Sequence, residues 1–173
     1  MHRNLEILSY IIEGELTHKD SLNNFITLKK GDIQYMSTGK GIYHSEINNT
    51  EVDLRLLQIW ILPNARNLEP KQSFIDTNKY LVPNELFKAV SLSEAPIIIN
   101  QDINLYLLKL DKDKEIDFEV NVDRQAYVVQ IEGSSNINEF NLQAKDALQS
   151  VEENLHIKSS IDSHIIIIEM KKA

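Results

Sequence analysis

Cysteine is missing from all 173 residues. That excludes a disulfide framework, a zinc–thiolate site and thiol catalysis, and it fits a reducing compartment. Basic clusters are missing too. Eighteen lysines and arginines stand against 26 aspartates and glutamates, a formal charge of −8. An acidic chain without a basic patch is poorly suited to gripping phosphates, so direct nucleic-acid binding is not expected. No apolar run approaches the roughly 18 residues of a membrane-spanning helix, and the N-terminus lacks a basic-then-apolar signal pattern. The expectation is a soluble, cytoplasmic protein with no membrane role. Stretches with a sustained 3.6-residue apolar period are absent, so helix should be scarce. Aromatic residues make up only 7% of the chain, and nothing in its composition specifies an aromatic substrate.

What is present reads as β-strand. With 42% hydrophobic residues, the chain can bury one sizeable domain or two small ones. Short apolar runs cover residues 5–12, 15–18, 25–28, 33–36, 42–47 and 54–62, with Pro63 ending the last. Polar turns separate them, such as the stretch from Lys19 to Asn24 and the Gly-rich loop 37–41. This spacing predicts an all-β barrel or sandwich over residues 1–63. Residues 64–86 read as a polar connector, pinned by Phe74 and Tyr80. Strands resume at 87–91, 97–100, 103–110, 116–120, 126–131, 135–140, 147–150, 155–159 and 164–170, a second barrel over residues 87–173.

A weak internal repeat links the halves. Tyr10-Ile11-Ile12-Glu13-Gly14 is similar to the run from Tyr127 to Gly133, and Lys30-Gly31-Asp32 to Ala144-Lys145-Asp146. Each copy reads as strand, Glu-Gly turn, strand, strand, turn with Asp, strand, which suggests two related barrels.

The run Gly31 to Glu46 carries the chemistry. On a strand, His44 and Glu46 point to one face, because side chains alternate. Together they form half a metal site, and His2 is a candidate for the rest. Two imidazoles and one carboxylate with open positions are the ligand set of non-haem Fe(II) oxygen chemistry, and the same set could hold Mn, Co, Ni, Cu or Zn. The competing reading is a solvent-exposed polar pair at a strand end. His18 is expected to hydrogen-bond its turn, or with Gln58 to support the site from behind, rather than bind metal. Gln58 on the apolar strand could support the site from behind, or satisfy a backbone group. Trp60 is expected in the core, Asp32 in a turn, and His156 and His164 in surface or structural roles.

The stretch from His2-Arg3-Asn4-Leu5-Glu6 through Tyr10 to Gly14, His18 to Ser21, Gly31 to Glu46 and Leu57 to Ile61 resembles the pirin family of bicupins. Gln101-Asp102 and Arg124-Gln125-Ala126-Tyr127 resemble the shorter bacterial pirins similar to quercetin 2,3-dioxygenases. The resemblance implies two cupin-type β-barrels, with the second degenerate. It implies a site of three His and one Glu, usually described with iron, in which His2, His44 and Glu46 match three of the ligands. The first His of the family's His-Pro-His motif has no counterpart, because Met1 stands where the intervening residue would be. The expectation is therefore a first barrel incomplete at its N-terminus and a metal site weakened or lost, since a ligand beside a frayed end is poorly preorganised. Open sheet edges would favour a homodimer or another protein partner.

On this resemblance the first functional expectation is a metal-dependent dioxygenase of the quercetinase kind, acting on a flavonol and dioxygen, with Glu46 as catalytic proton acceptor. The alternatives are a regulatory, protein-binding module and a relic without activity.

Overall fold

Strands that pair at long range shape this chain, whose computed structural model describes residues 1–172. It divides into two units, each with its own core. The first comprises Met1–Lys79 with Ile99–Gln101, the second Tyr80–Ile98 with the residues from Asp102 onward. Both are all-β and of cupin type. The one short helical turn among the described residues, Thr77–Lys79, is a 3-10 turn. No helix there is long and apolar enough to cross a membrane.

The first unit contains β1 (Glu6–Glu13), β2 (Glu15–Asp20), β3 (Phe25–Lys29), β4 (Asp32–Ser37), β5 (His44–Ile47), β6 (Arg55–Ile61) and β7 (Lys71–Asp76). They form a four-stranded sheet in the order β6-β1-β4-β7 and a three-stranded sheet in the order β3-β2-β5. Strand β1 is buried along nearly its whole length because it is central, and its apolar run reads accordingly. One core cluster joins Ile7, Met36 and Ile42; another joins Ile11, Leu16 and Leu28. Strand β7 falls inside the expected connector. It pairs with β4 from Asp32↔Asp76 to Ser37↔Lys71, so this half of the connector belongs to a sheet.

The second unit contains β8 (Phe87–Ser91), β9 (Ile97–Ile98), β10 (Ile103–Leu110), β11 (Glu115–Phe118), β12 (Arg124–Ile137), β13 (Phe140–Gln143), β14 (Ala147–Val151) and β15 (Leu155–Lys171). All eight lie in one sheet, with β12 and β15 at its centre. Each of these two long strands was expected as a pair of shorter ones. The Glu132-Gly133 signal is a kink rather than a break: the β12–β15 register shifts between Gln130 and Ser135, and pairing then continues.

The internal repeat survives as backbone geometry. Gly14 and Gly133 both have positive φ, 76° and 81°, and an added Cβ would lie 2.5 Å from Asp53 O and 2.2 Å from Asp162 O respectively. Only glycine fits there. In the following turn, Asp32 Oδ2 accepts from Lys29 N at 2.7 Å, and Asp146 Oδ2 accepts from Gln143 N at 2.8 Å. The residues before these aspartates, Gly31 and Lys145, share positive φ. Their N–H groups donate to Ile11 O and Gln130 O, two equivalent places on the preceding strand.

Candidate metal centre

Strands β2 and β5 run antiparallel, with His18 opposite Glu46 and Asp20 opposite His44. Residues two apart share a face, and directly opposed side chains are neighbours. Four ionisable groups therefore meet on one face of a single strand pair. The polar turn after Asp20 fixes the end of β2: Asp20 Oδ1 accepts from Leu22 N at 2.8 Å and Asn24 N at 3.1 Å. Asn24 Nδ2 donates to both Asp20 oxygens, at 3.1 and 2.9 Å.

His18, His44 and Glu46 each offer an atom within 4.8 Å of the others. His44 Nδ1 is 3.5 Å from Glu46 Oε1, and His18 Nδ1 is 4.0 Å from the same oxygen. Both Nδ1 atoms are buried without a hydrogen-bond partner. Orphaned buried nitrogens are rare, because leaving them unsatisfied costs about 1–3 kcal/mol. Two of them facing one carboxylate oxygen fit a divalent transition metal, whose imidazole and carboxylate ligands must present free lone pairs. Burial pushes the His44 pKa below its ordinary value, and the neighbouring His18 and His2 add to this against the pull of Glu46. A neutral imidazole is the form that binds metal.

Supporting groups surround the three. Gln58, on β6 of the other sheet, sends Nε2 to both Glu46 oxygens at 3.1 Å and to Ser9 Oγ at 3.2 Å. Its Oε1 accepts from Trp60 Nε1 at 2.8 Å. On the far side, Gln72 Nε2 lies 3.1 Å from His18 Nε2 and donates to Asp20 Oδ2. Burial alone would raise the Asp20 pKa, but hydrogen bonds from Asn24 and Leu22, with His18 nearby, hold it below the usual range.

The residues expected from sequence are placed as follows. His44 and Glu46 lie in the group of three. His2 lies beside it, its ring centroid 5.0 Å from that of His44 and from that of Trp60. An antiparallel bridge ties His2 to Ile42 through two 3.0 Å backbone hydrogen bonds. His18, expected to serve its turn or support the site, is fully buried and stacks on His44 at 5.4 Å. Trp60, expected in the core, is half-exposed. Asp20 and Gln72 were not singled out. Asp20 repeats the His-x-carboxylate spacing of His44 and Glu46, a signal that could have found it. Gln72 sits on the unrecognised strand β7 and carried none. In the second unit His156 is exposed and contacts Asp117 at 2.8 Å.

Comparison with known proteins agrees with this architecture. The pirin family profile matches residues 1–61, and that of the quercetinase C-terminal cupin domain matches residues 91–170. A Zymomonas mobilis protein named as a candidate quercetin 2,3-dioxygenase is 34% identical over 174 residues, spanning 96% of this chain and 73% of its own. The quercetin 2,3-dioxygenase of Escherichia coli K12 is 29% identical, over 98% of this chain and 74% of its own. The crystal structure of the bacterial pirin YhhW from Escherichia coli in complex with nickel(II) superposes with a TM-score of 0.92 at 27% identity, covering 99% of this chain and 75% of that one. The matched family profiles, the overall identity and the shared fold together place this chain in the pirin family.

Proposed function

We propose that the first unit is a metal-dependent centre of the quercetinase kind, in which His18, His44 and Glu46 hold one divalent transition metal with His2 beside them. The convergence of two buried, unpartnered imidazole nitrogens on Glu46 Oε1 carries this reading. The nickel in the YhhW structure and the quercetin 2,3-dioxygenase names of the relatives support it. Iron(II) suits the same ligand set.

Bound there, the metal would supply Lewis acidity that favours the deprotonated flavonol and its reaction with dioxygen. The chain's own groups do the positioning. Burial keeps the His44 imidazole neutral as a donor. Glu46 Oε1 faces the imidazoles, which leaves Oε2 to accept the proton of a substrate hydroxyl within hydrogen-bond reach. The Gln58 amide steadies that carboxylate from the opposite sheet.

Elemental analysis after reconstitution with Fe(II) or Ni(II) tests the reading, alongside His44→Ala and His18→Ala. Close to one metal per chain is expected in the parent protein and well under a tenth of that in His44→Ala. Quercetin consumption under air should follow occupancy. A parent chain that takes up no metal would end this proposal.

A further inference from the structure

The amide of Gln58 stands between two groups with fixed hydrogen-bonding character. The Trp60 indole N–H can only donate, and the Glu46 carboxylate can only accept. One amide orientation satisfies both: Oε1 toward Trp60 at 2.8 Å, and Nε2 toward Glu46 at 3.1 Å from each oxygen. The second Nε2 proton goes to Ser9 Oγ at 3.2 Å. The reversed amide would set its carbonyl against the carboxylate and its NH2 against the indole N–H. Gln58 and Trp60 are two apart on β6 and share a face. Trp60 is a half-exposed aromatic on a strand, yet its polar edge is committed inward.

We propose that Trp60 is a positioning residue for Glu46: its indole N–H locks the Gln58 amide, and the locked amide fixes the carboxylate that faces His18 and His44. This rests on the metal-centre reading for its consequence, but the lock itself is a property of the metal-free chain. Outer hydrogen-bond partners of ligands typically change metal affinity 10–100-fold, because they set ligand orientation. Trp60 reaches the centre by a second route through its ring, which meets His2 edge-on at 5.0 Å. A Trp60→Phe substitution keeps a ring at that place and removes only the donor.

A double-mutant cycle tests the lock. Ni(II) affinity is measured by calorimetry for the parent, Trp60→Phe, Gln58→Leu and the double variant, with melting temperature as a fold control. Trp60→Phe should weaken binding about tenfold. The double variant should be no weaker than Gln58→Leu, because without Gln58 the indole has nothing to lock. Losses that multiply, or a Trp60→Phe affinity within twofold of the parent, would overturn the proposal. In metal-free protein, NMR reads the same lock through solvent exchange of the Gln58 side-chain NH2. Trp60→Phe should accelerate that exchange several-fold, and an unchanged rate would refute the lock. A parent that binds no nickel would sink the metal-centre reading alone, and the exchange rates would still decide this one.

Discussion

Glu169 and Arg124 show how a single residue sets pH behaviour in the second unit. Arg124 Nη2 donates to Glu169 Oε2 at 2.9 Å, its Nε donates to Oε1, and Asn104 Nδ2 reaches Oε2 at 2.6 Å. Arg124 Nη1 also meets Asp102 at 2.6 Å. Burial would raise the Glu169 pKa, but the hydrogen bonds from Arg124 and Asn104 outweigh it and hold the group below its ordinary value of 4.5. A carboxylate depressed on folding stabilises the native state above its unfolded pKa, and that contribution fades as pH falls through the folded pKa. The pair should therefore act in full at neutral pH, and its contribution should fade as pH falls from the ordinary carboxylate value through the lower folded one. In urea titrations from pH 7 to pH 3, Glu169→Gln should lower stability at pH 7 and flatten the acid limb. An acid limb as steep as the parent's would show that other carboxylates carry it.

At the scale of strands, the reach and the limit of sequence both come from periodicity. Strands β1, β4, β6, β8 and β10 are legible because apolar runs end at turn residues, and the structure places them within a residue or two. Strand β7 is not, because an edge strand with no fully buried residue has no apolar face to reveal it. The long β12 looks like a pair of strands because a bulge and a turn share the same Glu-Gly vocabulary, and β15 does because the polar residues around Asp162, opposite that bulge, read as a turn. In the site, the i, i+2 relation of His44 and Glu46 is local and readable. The meeting of β2 with β5 is a pairing across some two dozen residues, and nothing in the local pattern encodes its register. Gln58 is readable as a polar residue on an apolar strand, but its partners are not. The bulge gives a prediction of its own. Gly133→Ala forces a Cβ toward Asp162 O at positive φ, and should cost about 2 kcal/mol or more in chemical denaturation. A cost under 0.5 kcal/mol would mean the kink relaxes freely.

For the whole molecule, a metal at the candidate centre would couple chemistry to folding. A metal held by residues from β2 and β5 would bind the native chain and would find no such site in the unfolded one. Linkage then adds about 2.7 kcal/mol of stability at a free metal concentration one hundred times the dissociation constant. Thermal melts with Ni(II) should rise by several degrees, return to baseline on chelation, and stay flat in His44→Ala. The chain has one tryptophan, so its emission follows Trp60 alone and reports the first unit during the same melt. A melting temperature insensitive to metal in the parent chain would contradict the coupling.

The duplicated turn also shows two fates for one buried place. His18 stands four residues past Gly14, in a hairpin with β3; Ile137 stands four residues past Gly133, in a hairpin with β13. Both side chains are wholly buried. In one copy that place holds an imidazole with a nitrogen that has no hydrogen-bond partner, and in the other an isoleucine inside an apolar cluster of the second unit. One backbone design thus accommodates an imidazole or a packing residue at the same buried place, and both outcomes occur in a single chain.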